Sequence, residues 1–211
     1  MARDLLLACS CGRLGGVVLG VTRNNARRLS CLCDDCQAYA RFLGRADEIL
    51  DVYGGTDLSY ATPGRVSFTH GQEQLRCVRL TAQGLLRWYA DCCKTPIAHT
   101  PPSHRIAFVG IPHLALHGRD AEARDRDLGP LRCRVQARFA IVKPPAPTHL
   151  NEPASVRARD YASILWATLR GQNRPTPFFD ADGAPTIAPT VLTSEERRRL
   201  ETPRATTTRT S

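Results

Sequence analysis

Over its first hundred residues the chain alternates short apolar runs with turn-forming residues, the pattern of a β-rich domain. Residues 5 to 11 read as a strand that ends in Cys9-Ser10-Cys11-Gly12, where glycine lets the backbone fold back. Gly15-Gly16 leads into a second strand, Val17 to Val21, and Asn24-Asn25 turns the chain toward a third that carries Cys31 and Cys33. Asp34-Asp35 then opens a short helix whose apolar face is Tyr39, Phe42 and Leu43, closed by Gly44. Ile49 to Tyr53 looks extended until Gly54-Gly55 breaks it. The runs Leu58–Ala61, Arg65–Thr69 and Leu75–Leu80 then suggest an antiparallel meander. Leu85 to Ala90 is a further strand that delivers Cys92 and Cys93, and Ile106 to Ile111 is one more.

The second half is less regular. Residues 118 to 130 are charged and polar and suggest a surface loop, while Leu131 to Val142 fits strand and helix equally. Lys143-Pro144-Pro145-Ala146-Pro147 is a stiff linker. A helix over 156–170 follows, with Ser155 as cap, Gly171 as stop, and Tyr161, Ile164, Leu165, Thr168 and Leu169 on a packing face. The tail after Ser194 starts as a helix-forming patch and becomes Thr-rich. The expected architecture is α+β and mainly β. A β domain over 1–118 carries a C-terminal extension over 119–190, and 191–211 forms a disordered tail.

Composition narrows the function. With 211 residues and 42% hydrophobic content the chain can bury a sizeable core. No apolar run approaches the roughly 20 residues that span a bilayer, so the reading is a soluble, cytoplasmic protein. The net charge is +9, almost all of it arginine, with Lys94 and Lys143 the only lysines. These charges are scattered rather than gathered into a stripe with aromatics, which argues against a nucleic-acid platform and allows attraction of small anions. Nine cysteines in a reducing compartment point to metal rather than to disulfides, and an odd number cannot all pair.

Their spacing is the strongest chemical signal. Cys31, Cys33 and Cys36 follow one another in C-x-C-x-x-C, with Cys36 in the first turn of a helix, where the dipole favours a thiolate. Three thiolates leave one position open on a tetrahedral zinc ion, which marks a catalytic rather than a structural site. Cys9 and Cys11, with one or both of Cys92 and Cys93, make a second, closed site. Both members of the adjacent pair can serve only if the chain turns between them. Cys77 and Cys133 read as core thiols, and none of the six histidines has a metal-binding pattern, His99 being the best placed. Phosphate-binding loops, dinucleotide fingerprints and serine-hydrolase motifs are absent.

Cys9-Ser10-Cys11-Gly12, Cys31-Leu32-Cys33-Asp34-Asp35-Cys36 and Cys93-Lys94-Thr95-Pro96-Ile97 together resemble the glutathione-dependent formaldehyde-activating enzyme family, which includes centromere protein V. The resemblance covers roughly residues 5 to 115. Arg87 to Cys93 looks like an uncharacterised bacterial branch of it. It implies a β-tent built of short antiparallel sheets. Two zinc ions are implied, a structural one on Cys9, Cys11 and Cys93 and a catalytic one on Cys31, Cys33 and Cys36. The implied activity is that of a carbon–sulfur lyase acting on a thiol–aldehyde adduct such as S-hydroxymethyl glutathione, with a small thiol as partner. Two positions depart from the family pattern. Leu32 stands where the family usually has histidine, and Ala90-Asp91-Cys92-Cys93-Lys94 replaces C-x-x-C-G, with Cys92 a substitute for the displaced ligand. The alternative is a non-catalytic zinc module whose basic surface binds a protein or nucleic acid.

Overall fold

The computed structural model describes residues 2–118 and 120–201. Among these, the chain runs β1 (Arg3–Ala8), β2 (Gly15–Val21), β3 (Leu29–Cys31), α1 (Asp34–Phe42), α2 (Ala46–Ile49), β4 (Thr56–Ala61) and β5 (Val66–His70). It continues with β6 (Leu75–Arg79), β7 (Leu86–Ala90), β8 (Thr95–Thr100), β9 (Val109–Pro112), α3 (His113–Leu116) and α4 (Ala121–Leu128). Last come β10 (Arg134–Val135), α5 (Ala154–Leu169), β11 (Thr190–Val191) and α6 (Ser194–Arg199). The fold is α+β and mainly β.

Two sheets carry the core. One is three-stranded, in the order β1-β2-β5, and the other has eight strands in the order β10-β3-β4-β9-β8-β7-β6-β11. In β1, Leu5 and Leu7 face inward while Leu6 stands in solvent, the period-2 alternation of a half-buried strand. Those leucines meet Val18, Leu75, Trp88, Ile97, Val109 and Phe178 in the main core between the sheets. The opposite face of the large sheet is covered by α1, where Ala38, Tyr39 and Leu43 pack with Ile49, Val78, Leu80 and Leu114. β8 is buried along its whole length because it has a layer on each side.

The strands expected to form a meander are shared between the sheets. β6 and β7 form an antiparallel pair, but β4 lies between β3 and β9, and β5 crosses to β2. The β2–β5 approach needs Gly16, since a Cβ there would sit 2.1 Å from the carbonyl oxygen of Ser67. The stretch 49–53 is not extended. Ile49 closes α2, and the Asp51 carboxylate accepts from the backbone N–H groups of Tyr53 and Gly55 at 2.9 and 2.8 Å, which holds a turn.

The C-terminal half departs further from its sequence pattern. The expected loop at 118–130 contains α4, capped by the Asp120 carboxylate accepting from Ala123 N–H at 2.9 Å. Leu128 is the only residue that α4 buries, so its polar sequence reads as a loop. β10 pairs in parallel with β3, and β11 pairs in parallel with β6, so this half covers both edges of the large sheet. It also supplies Phe178, fully buried with its ring centroid 5.2 Å from that of Trp88. α5 begins at Ala154 after Pro153, not at Ser155, and its inward seam is Ser163, Ile164, Ala167 and Thr168. Tyr161, Leu165 and Leu169 of the expected packing face stand in solvent, at 67%, 60% and 72% exposure. From Tyr161 to Leu169 the helix carries no charged residue, and periodicity therefore could not choose the side. Within the expected tail, α6 is helical, and Arg197 donates to Asp34 and Asp35 at 2.6 and 2.9 Å. Residues 202–211, expected to be disordered, lie outside the described residues. No described helix is long and apolar enough to cross a membrane.

Trp88 joins the two layers, since its indole is fully buried and donates to the Thr100 hydroxyl at 3.0 Å. Trp88→Phe is expected to lower unfolding stability by about 2 kcal/mol, through a cavity and a hydroxyl left without its donor. Urea denaturation measures this, and an unchanged midpoint would contradict the assignment of Trp88 to the core.

Candidate metal centres

Two tight turns build the first group of thiols. The β1–β2 turn is closed by Cys9 N–H donating to Leu14 O and Gly12 N–H donating to Cys9 O, both at 2.9 Å, with Gly12 at a φ of 74°. Leu14 N–H also donates to Cys9 Sγ at 3.3 Å. The β7–β8 turn lies between the paired residues Ala90 and Thr95, and Lys94 takes a φ of 53° within it. The chain therefore does turn between Cys92 and Cys93. Cys9, Cys11, Cys92 and Cys93 bring their Sγ atoms within 4.8 Å of one another. Individual separations are 3.5 Å for Cys9–Cys11, 3.7 Å for Cys9–Cys92, 3.3 Å for Cys11–Cys92 and 3.9 Å for Cys92–Cys93. Both thiols of the adjacent pair belong to the group, so the displacement from C-x-x-C-G leaves the number of sulfurs at four.

A polar brace holds the two turns together. Ser10 N–H donates to Thr95 Oγ1 at 3.0 Å, and Arg45 donates to Ser10 Oγ, Cys93 O and Thr95 Oγ1 at 3.0, 2.9 and 2.8 Å. Glu48 fixes that guanidinium in turn at 2.6 Å. Burial works against ionisation of Cys93, but hydrogen bonding from Thr95 and from Cys11 outweighs it and lowers this thiol to about 6. Burial, followed by hydrogen bonds to Cys11 and Cys9, pushes Cys92 up. The thiols thus share protons unequally, as clustered thiols do when some carry negative charge.

The second group sits where β3 enters α1. Cys33 is the N-cap of α1 and its Sγ accepts from Cys36 N–H at 3.4 Å. Cys31, Cys33 and Cys36 bring their Sγ atoms within 4.8 Å of one another, and Cys36 is buried. Hydrogen bonding to Cys33 and Cys36 pushes Cys31 well up, while bonds from Cys31 and Cys33, with the charge of Arg87, hold Cys36 well below the usual thiol range. The surroundings are apolar, with Leu29, Leu58 and Val135 in the same cluster and Tyr60 and Cys133 packed on it. Among the described residues no histidine or carboxylate joins either group of thiols. Each group could hold a metal ion.

Cys77 is buried in the main core, whereas Cys133 is only half-buried against the three-thiol cluster. His99 is 3% exposed and is held well below the usual imidazole range by burial and by Arg87. Arg87 is the residue that the sequence reading missed. It is 3% exposed, its Nη2 lies 3.8 Å from Asp35, and its charge acts on Cys36 and Cys33. An arginine beside Trp88 in a strand reads as a solvent-facing residue. Only its place in the alternation, on the face that α1 covers, carries the signal. Other arginines are also occupied internally, as with Arg28, which reaches Asp57 at 2.8 Å and Gly129 O at 2.6 Å. Part of the positive charge is therefore not available at the surface.

The family described as “Family of unknown function (DUF6151)” matches residues 1–188. The chain belongs to this family. This DUF6151 chain is also similar to a solved Rhodobacter sphaeroides protein, a Northeast Structural Genomics target. They share 19% identity over 60% of this chain and 97% of that one, at a TM-score of 0.41. No curated protein matches.

The brace yields a test of the four-thiol group. Arg45→Met is expected to weaken metal binding there by about tenfold or more while leaving the three-thiol group unchanged. Competition with a chromophoric chelator reads this as one weakened site of two. Unchanged affinity at both would show the brace to be irrelevant to the metal.

Proposed function

We propose that the chain binds two zinc ions and acts as a carbon–sulfur lyase on a thiol–aldehyde adduct, of which S-hydroxymethyl glutathione is the type. The four-thiol group serves as the structural site. Four zinc–sulfur bonds of about 2.3 Å at tetrahedral angles put the sulfurs about 3.8 Å apart. The four separations of 3.3, 3.5, 3.7 and 3.9 Å lie within about half an ångström of that figure. The three-thiol group is the reactive site, because it offers one sulfur too few to close a tetrahedron.

The observation that carries this reading is the buried Arg87 beside the three thiols. Zinc, when bound, acidifies a thiol placed on it and so makes a thiolate available near neutral pH. Three thiolates would blunt that acidity by leaving the ion with net negative charge, and a guanidinium within the same apolar enclosure offsets it. Arg197, on Asp34 and Asp35, removes the two carboxylate charges nearest the helix entrance. In the reaction, the thiolate sulfur gives an electron pair to the aldehyde carbon. The C–O π pair moves to oxygen, and oxygen takes a proton from water; the lyase direction reverses these steps. The resemblance to the formaldehyde-activating enzymes supports the same chemistry. The nine free thiols suit a reducing compartment such as the cytoplasm.

A second reading is favoured by the enclosure of the site. Cys36 is buried, and Leu29, Leu58 and Val135 pack around it. In that reading both ions only hold the fold, and the arginine-rich exterior binds a protein or nucleic-acid partner.

Exchange NMR on a mixture of formaldehyde and glutathione separates the two. The enzyme reading predicts that the zinc-loaded protein speeds adduct formation and breakdown, and no acceleration at two zinc ions per chain would favour the second. Cys36→Ala is expected to lower zinc content from two ions to about one with the fold intact. Loss of the folded state in that variant, seen by circular dichroism, would make the site structural.

A further inference from the structure

The three-thiol group lies over a row of residues that crosses the large sheet. Tyr60 pairs with Gly110, Gly110 with His99, and His99 with Arg87. Residues opposite one another in an antiparallel ladder point to the same face, so this row spans β4, β9, β8 and β7 on the side that α1 covers. Arg87 and His99 meet there under one helix residue. The guanidinium lies 5.2 Å from the centroid of the Tyr39 ring, and the imidazole meets that ring edge-on at 5.3 Å. At the other end of the row Tyr60 packs on the cluster of Leu29, Cys36, Leu58 and Val135, on which Cys31 and Cys33 also pack. Gly110 contributes no side chain between Tyr60 and His99.

Arg87 and His99 are each only 3% exposed, yet Arg87 Nη1 and His99 Nδ1 have no hydrogen-bond partner. Buried polar atoms are as a rule hydrogen-bonded, so two of them side by side across β7 and β8, both within electrostatic reach of Cys33, point to a group from outside the chain. Its charge follows from Arg87, which stays protonated. Asp35 is the carboxylate nearest to that guanidinium, at 3.8 Å, and is already held by Arg197 at 2.9 Å. Besides Asp35, the charge of Arg87 acts on Cys36 and Cys33, so it faces the centre to which a further thiolate would come.

We propose that Arg87 and His99 form the receiving subsite of the three-thiol centre, and that it takes the thiolate of a small molecule. This rests on the reading of the three thiols as a metal centre with an open fourth place. Arg87 supplies the charge, while His99 supplies a hydrogen bond to a polar atom next to the sulfur. Both are positioning residues, and neither is a metal ligand.

The test uses the full chain loaded with cobalt(II) in place of zinc and titrated with 2-mercaptoethanol, followed by the ligand-field and thiolate charge-transfer absorption. Wild-type protein is expected to show a saturable change. Arg87→Met is expected to bind the thiol about tenfold more weakly at unchanged cobalt content, and His99→Phe to show a smaller loss. Neutral imidazole, titrated in the same way, is expected to bind Arg87→Met and wild type equally. If Arg87→Met does not fold, Arg87→Lys and His99→Phe make the same comparison. Equal thiol affinity in all variants, or a parallel fall for imidazole, would overturn the subsite while leaving the open metal place intact. No spectral response from the wild type at two cobalt ions per chain would overturn both.

Discussion

Sulfur atoms that carry negative charge do not stay within about 5 Å of one another unless something positive lies between them or protons bridge them. That constraint organises this molecule. Seven of its nine cysteines are gathered into two such groups. Every element that positions them is otherwise ordinary, consisting of two hairpin turns, one helix start and a strand. At the four-thiol group the turns are brought face to face by the packing of the small sheet on the large one, and Arg45 locks them by touching both at once. At the three-thiol group the convergence is local, within six residues of the chain, and the rest of the fold supplies the environment rather than the ligands.

That difference gives the two groups different settings. The first ties the start of the chain to its middle and sits in the seam of the main core, so a metal ion held there would be coupled to folding. The second is set into the face of the large sheet opposite that core. Its supporting residues come from far along the chain, with Arg87 from β7, Val135 from β10 and Arg197 from α6 acting on Asp34 and Asp35. The C-terminal half is therefore a working part of this site. β10 lies alongside β3, and α6 neutralises the entrance to α1.

The thiols were legible in the sequence because short-range spacing determines which of them can converge. C-x-C in an extended segment and C-x-x-C at a helix start leave little freedom. The alternation in β1 and the caps of α1 were legible for the same local reason. The supporting shell was not. Arg87 becomes a buried charge only because β7 is covered on both faces, and that depends on where α1 lands. α5 shows the same limit, since a helix with Tyr161, Leu165, Trp166 and Ala167 in close succession does not announce which side will be covered. α4 was hidden by its own polarity, and α6 by its position in a tail whose polar anchors Asp34, Asp35 and Arg41 lie more than 150 positions away.

X-ray absorption at the zinc edge measures the central claim most directly, because it counts the atoms bound to the metal. Seven thiols shared by two ions predict a first shell of about 3.5 sulfurs per zinc at about 2.3 Å, the remainder being a single light atom at the open place. A first shell dominated by nitrogen and oxygen, or four sulfurs on one zinc per chain, would contradict it.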